Sequence, residues 1–212
     1  MSNRGNLIIF AAPSGAGKSS LINGMIEKDK DSYELSISAT TRSPREGETH
    51  GKDYFFISDE EFNKLKENGA FIEHAEVHGH QYGTLKSFIE EKLEIGINVI
   101  LDIDVQGFNQ ITETLKDTIS IFIIPPSMEE LKKRLITRGL DSDDVIKKRL
   151  ANAKTELKSA ELFDYVVLNK DFDKALEEIS AIIFGKHYEN NQVNINISVS
   201  YTHLTLPTIL LV

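Results

Sequence analysis

Residues 12–20 run Ala-Pro-Ser-Gly-Ala-Gly-Lys-Ser-Ser and follow a short apolar stretch, Leu7–Ala11. A glycine-rich turn between a strand and a helix aims several backbone N–H groups at one point, at the positive end of the helix dipole. In such a turn Lys18 reaches the β and γ phosphates of a nucleoside triphosphate, and the Ser19 hydroxyl ligates Mg²⁺. The pattern G-x-x-x-x-G-K-[ST] opens on glycine where this chain has Ala12, which costs only a methyl group if φ is negative there. Ala12, Pro13, Ser14, Gly15, Ala16, Gly17, Lys18, Ser19 and Ser20 are therefore the candidate triphosphate cradle.

A second group of donors lies downstream. The stretch Ser38 to Phe56 holds Ser38, Arg42, Arg45 and Tyr54 around Pro44. Guanidinium forks bind phosphate oxygens in pairs and hydroxyls add neutral donors, so this is a candidate second phosphate site. Glu73, Tyr82 and Thr84 follow, and Leu-Asp-Ile-Asp-Val-Gln-Gly puts Asp102 and Asp104 at the end of an apolar run. The whole chain carries a net charge of −9 over 212 residues, so an anion must meet locally concentrated cations. The same acidity argues against a nucleic-acid coat or a binder of acidic membranes. The absence of cysteine excludes disulfides, thiolate nucleophiles and Cys-type zinc sites. His50, His74, His78 and His80 cluster in sequence but lack the helical ligand spacing of a metal site, and are read as surface or supporting residues.

These residues need a frame. Leu7–Ala11 is expected as a buried strand and Ser19–Lys28, with apolar residues at helical spacing, as a helix. From Tyr33 to about Leu85 short alternating runs with Gly and Pro suggest an inserted, mostly β segment, with one short helix stopped at Gly69. Lys86–Leu93 predicts a helix, Asn98–Ile103 a strand, and Ser120–Ile124 a strand stopped by Pro125-Pro126. Ser127 with Glu130 three residues on forms a capping-box pattern, and Met128–Leu157 predicts two charged helices joined by a turn. Asp164–Leu168 predicts a last strand and Asp173–Phe184 a helix. Strands alternating with helices give an α/β fold with a parallel sheet flanked by helices. The N-terminal apolar run is too short for a signal peptide and no stretch is long enough to span a bilayer, so the expected setting is cytoplasmic. Residues 191–212 break the pattern. Val199–Thr208 reads as one translated frame of a transposon-type sequencing adapter, so this tail is expected to be non-native or disordered.

Taken together, Ala-Pro-Ser-Gly-Ala-Gly-Lys-Ser-Ser, Thr-Thr-Arg-Ser-Pro-Arg, Gly-Lys-Asp-Tyr-Phe-Phe, Tyr-Gly-Thr, Leu-Asp-Ile-Asp-Val-Gln-Gly, Ile-Ile-Pro-Pro-Ser and Arg-Gly-Leu-Asp-Ser-Asp-Asp resemble the guanylate kinase family, from about Asn6 to Lys186. The resemblance implies a nucleoside monophosphate kinase, a transferase moving the γ-phosphoryl of ATP to GMP with Mg²⁺. It also implies a P-loop core (1–34, 86–127 and 159–190), a β-rich GMP-binding arm (35–85) and a helical lid (128–158). In the family's pattern Ser38, Arg42, Arg45, Tyr54 and Tyr82 hold the GMP phosphate, and Glu73 and Asp104 take the guanine edge with help from Ser38 and Thr84. Arg134, Arg138 and Arg149 match phosphate-closing arginines, with Lys18, Arg42, Arg138 and Arg149 as the catalytic set. Asn169 matches an adenine contact, whereas Lys170 stands where the family commonly has Asp. Ser19 is the implied Mg²⁺ ligand, with Asp102 reaching the ion's waters or orienting Lys18. ATP and GMP are the implied partners, and the sequence leaves monomer or homo-oligomer open. Two other readings remain at this stage: a catalytically silent scaffolding relative, and a nucleoside monophosphate kinase with another acceptor.

Overall fold

The computed structural model describes residues 4–77, 79–114, 118–137, 139 and 142–183. Arg138, His78 and the tail 191–212 lie outside the described residues. The chain divides into two compact units, Met1–Ala11 with Ile26–Ile119, and Ala12–Met25 with the chain from Ser120 on.

In the first unit β1 (Leu7–Ala11) and β7 (Asn98–Asp102) pair in parallel, Leu7 opposite Val99 and Phe10 opposite Asp102. Both are apolar runs buried on both faces, as central strands of a parallel sheet must be. β2 (Tyr33–Leu35) adds to the other side of β7, also parallel. The β-rich stretch expected from Tyr33 onward therefore begins with a strand of the parallel sheet, because Tyr33 is buried and Ser36 N–H extends the ladder to Ile100 O.

The insertion itself is a separate four-stranded sheet, in order β4-β3-β6-β5. Its strands are β3 (Ala39–Thr40), β4 (Phe55–Phe56), β5 (Phe71–Val77) and β6 (His80–Leu85). Helix α2 (Asp59–Glu67) covers it, with Ser58 Oγ accepting Glu61 N–H at its start and Gly69 in the left-handed region after its end. Phe62 stacks on Phe71 with ring centroids 4.5 Å apart, the centre of a small core with Ala39, Phe55, Ile57, Leu65 and Leu85. Helix α3 (Lys86–Glu94) then leads to β7, and α4 (Val105–Thr114) follows β7. α4 was not among the elements expected from the sequence, although Val105, Phe108 and Ile111 recur there at helical spacing.

The second unit holds α1 (Lys18–Lys28, as far as Met25), β8 (Thr118–Ile124, from its third residue), α5 (Met128–Thr137), α6 (Asp143–Glu156), a 3₁₀ turn at Leu157–Leu162, β9 (Tyr165–Leu168) and α7 (Phe172–Ile183). β8 and β9 run parallel, Ile121 opposite Tyr165 and Ile124 opposite Leu168. Ser127 Oγ accepts Glu130 N–H at the start of α5, half of the expected capping box. Leu131 and Leu135 of α5 pack with Ile146 and Ala153 of α6 in a core of their own. The α/β class expected from the sequence is the one observed.

Candidate active site

The second unit contains the candidate phosphate loop. Pro13 O accepts Ala16 N–H at 3.0 Å and Gly17 O accepts Leu21 N–H at 3.1 Å, so a tight turn passes straight into α1. Gly15 and Gly17 have φ of 94° and 98°, a region where an L side chain is strained. Space forbids a side chain as well. A Cβ on Gly17 would collide with the Asn169 side-chain amide, and one on Gly15 would lie 3.0 Å from Leu131 Cδ1 and Leu135 Cδ2.

The loop is braced from outside. Asn169, 6% exposed, donates from Nδ2 to Ala16 O at 2.7 Å. Arg134 donates from Nη1 to the same carbonyl at 3.2 Å and from Nη2 to Asn169 O at 3.0 Å, with Glu130 accepting from its Nε at 3.3 Å. Because a trans peptide points its C=O and N–H in opposite directions, anchoring Ala16 O turns the Gly17 N–H the other way. Asn169 and Arg134 thus hold the backbone donors in place. Arg149 reaches Ser14 Oγ from Nη1 at 3.3 Å. Ser19 and Ser20 are exposed on the first turn of α1. A pocket of about 700 Å³ opens beside the loop, lined by Gly15, Gly17 and Ser20, by Lys133, Arg134 and Thr137 of α5, and by Asn169, Lys170 and Phe172.

The first unit contains the other site, built from side chains. β3 and β6 pair antiparallel with Thr40 opposite Tyr82, and Thr40 also faces Phe56 of β4. Arg42 lies two residues after Thr40, its guanidinium 5.4 Å from the Tyr54 ring centroid and 5.8 Å from that of Phe56. Tyr54 and Tyr82 meet edge to face at 6.0 Å. Burial, with Tyr82 adding to it, holds the Tyr54 phenol above its ordinary pKa, so it stays a donor.

Glu48 completes this cluster, and sequence reasoning missed it. Its Oε1 accepts Arg42 Nη2 at 2.8 Å and its Oε2 accepts Arg45 N–H at 2.7 Å. These two bonds, Arg42's first, hold the Glu48 carboxyl below the usual carboxylate range. The available signal was turn chemistry. Gly47, with φ of 87°, sits third in a turn where Glu48 N–H meets Arg45 O at 3.1 Å, and a type II turn needs glycine there. Arg45 itself is exposed and contributes its backbone N–H to Glu48, so the structure brings Arg42, Tyr54 and Tyr82 together more closely than Arg45.

Deeper in this sheet, Glu73 lies opposite Thr84 across β5 and β6, just after an irregularity between Phe71 and Glu73. Thr84 Oγ1 donates to Glu73 Oε1 at 2.6 Å, and Ser38 Oγ lies 3.5 Å from Thr84 Oγ1. Glu73 is only 7% exposed. Desolvation raises its pKa above the ordinary carboxylate value, Thr84 opposes that, and the nearby Asp104 charge adds to it. Asp104 is exposed at the start of α4, where Oδ1 accepts Gly107 N–H at 2.9 Å. Asp102 is exposed at the end of β7. No group of three or more His, Asp or Glu among the described residues is placed to hold a metal ion. His50 accepts Phe56 N–H at Nδ1, a structural bond at 3.1 Å. Among the described residues, no helix is long and apolar enough to cross a membrane.

Known proteins resemble this chain over most of its length. The family profile described as guanylate kinase matches residues 4–186. The guanylate kinase of Histophilus somni is 52% identical over 182 residues, covering 85% of this chain and 88% of that protein. That of Caldanaerobacter subterraneus subsp. tengcongensis is 49% identical over 183 residues, covering 86% and 88%. The crystal structure of guanylate kinase from Anaplasma phagocytophilum superposes with a TM-score of 0.68 at 35% identity, covering 89% of each chain. Matched over most of its length by that family profile and by these relatives, the chain belongs to the guanylate kinase family.

Proposed function

We propose that this chain transfers the γ-phosphoryl group of ATP to GMP, giving ADP and GDP, with Mg²⁺ as the accompanying ion and the cytoplasm as the setting. The observation that carries the acceptor's identity is Glu73. A buried carboxylate with Thr84 on one oxygen is short of donors, and its pKa is raised accordingly. The guanine N1–H and N2–H₂ groups supply donors to it and to Asp104. Adenine, with a bare acceptor at N1 and no 2-amino group, leaves the carboxylate unpaired, and sites built for a hydrogen bond reject its absence by up to roughly four to five decades.

Ser38, Arg42, Tyr54 and Tyr82 hold the GMP phosphate, with Arg45 joining from the exposed turn. Its second pKa lies near about 6, so the attacking oxygen is largely ionised at neutral pH and no general base is needed. The obstacle is repulsion between two anions. Lys18, Arg149 and, from outside the described residues, Arg138 offset it and stabilise the transferring group. Asn169 and Arg134 keep the loop donors aimed, and the pocket beside them suits the ATP base. Mg²⁺ suits this site: the glycine cradle has no room for side chains, and Ser19 offers the hard oxygen such an ion prefers. When bound it would neutralise charge on the β and γ oxygens. The segments 35–85 and 128–158 act as an arm and a lid that exclude water during transfer.

A coupled ADP-release assay with GMP, AMP, CMP and UMP tests the proposal. Turnover with GMP alone is the expected result. Turnover with another monophosphate makes the chain a kinase of different acceptor, and no turnover with any makes it a silent binding module.

A further inference from the structure

We infer that one face of α4, carrying Gly107 and Gln110, positions Glu73 and thereby sets the preference for a purine with a 2-amino group. The inference rests on the guanine reading of Glu73 above.

Glycine inside a helix is a poor choice on propensity grounds, so Gly107 needs a reason. The reason is space. A Cβ there would lie 3.0 Å from Glu73 Oε2, 3.5 Å from Glu73 Cδ and 3.4 Å from Ile103 Cβ. Glu73 cannot readily move aside, because it is buried and Thr84 holds its other oxygen at 2.6 Å. The notch at Gly107 is what lets the carboxylate lie against the helix.

Three residues along, on the same face, Gln110 fixes the strand that carries Glu73. Gln110 Oε1 accepts His74 N–H at 3.0 Å, and Gln110 Nε2 donates to His74 O at 2.9 Å. β5 is the outer strand of its sheet, so this side-chain amide pairs with it as a neighbouring strand's peptide would. Asp104 is tied to the start of the same helix through Gly107 N–H. One helix therefore sets the spacing between the two carboxylates: Asp104 at its first turn, Glu73 against its notch, and the Gln110 clamp holding the register. Gly107 and Gln110 touch no substrate atom in this arrangement; they are positioning residues.

The probe is IMP, which keeps the N1–H and lacks the 2-amino group. Steady-state constants for GMP and IMP at saturating ATP, the KM for ATP, and the thermal midpoint are measured on the full chain and on Gly107→Ala and Gln110→Met. Gly107→Ala is expected to raise the KM for GMP and to cut the GMP:IMP ratio of kcat/KM by about 10-fold or more, the cost of a missed polar contact. The KM for ATP should stay unchanged, and the thermal midpoint should fall modestly, since the new contact with buried Glu73 outweighs alanine's better helix propensity. Gln110→Met should move the ratio in the same direction by less, and it decides the matter if the alanine variant does not fold. An unchanged ratio in the folded variants, or a parallel loss for both nucleotides, overturns the inference. A wild-type chain that uses GMP and IMP equally would instead overturn the guanine reading itself.

Discussion

On the proposed reading the loop at residues 12–20 and the inserted β segment both bind anions, and they would do so by opposite means. In the loop the donors are backbone N–H groups on consecutive residues. Their aim is set by two positive φ values at Gly15 and Gly17, and by Asn169 and Arg134 pulling on Ala16 O from behind. In the inserted β segment the donors are side chains from β6, from Tyr54 just before β4 and from the stretch after β3, and the leading cation brings its own carboxylate, Glu48. A backbone cradle costs little rotamer entropy and recognises any polyphosphate. A side-chain cluster must be held rigid by extra contacts, and in exchange it can be placed at a chosen distance from a base-reading group such as Glu73. On that reading the loop would serve affinity for a common donor, and the arm selection of one acceptor.

The comparison is broken most severely at Lys18. Lys18→Ala should lower turnover by about two to three decades, the range for losing one preorganised charge at the transferring group. The circular dichroism spectrum and thermal midpoint should hold, since Gly15, Gly17, Asn169 and Arg134 keep the loop's shape without it. Near-normal turnover would remove the loop from the chemistry.

Glu73→Gln should come next, and its effect should be confined to one substrate. Gln keeps an oxygen for Thr84 but presents an amide where guanine needs an acceptor, so the KM for GMP should rise by roughly 10² while that for ATP stays put. Equal rises for both substrates would mean that Glu73 supports the fold at large.

These two sites were not equally legible in the sequence. The loop was readable because its chemistry is local: strand, glycines, Lys18 and Ser19 lie within a few residues, and each element came out within one residue of its expected place. Ser38, Arg42 and Tyr54 were readable as a candidate phosphate site from residue type, but the base-reading role of Glu73 and Thr84 came only through resemblance, because pairing across β3, β4, β5 and β6 brings these residues together from far apart. Two features escaped. Helix α4 carries Gly107 and β-branched Ile111 and Thr112, which weaken local propensity, and it forms because Phe108 and Ile111 are buried and Asp104 caps it. Glu48 looked like one more surface acid until the turn at Gly47 folded it back onto Arg42.

The smallest effect sharpens the comparison inside the arm. Glu48→Gln leaves one oxygen to serve two donors, so either Arg42 or Arg45 N–H loses its partner. Because Arg42 remains packed on Tyr54 and Phe56 and the pair is partly solvated, the KM for GMP should rise only about three- to tenfold. A fall would show that Glu48 competes with the phosphate instead of positioning Arg42. Stability against pH separates the two arm carboxylates by sign. Glu48 has its pKa lowered from 4.5, so its contribution is present above that value and disappears as pH falls through the lower, folded one. Glu73 has its pKa raised from 4.5, so its contribution is present below that value and is lost as pH rises through the higher, folded one. Urea midpoints measured between about pH 3 and pH 8 should therefore separate wild type from Glu48→Gln on the rising side of acid unfolding, and from Glu73→Gln on the approach to neutrality. Two differences of the same sign across that range would mean that one of these carboxylates sits in a different environment from the one its partners create.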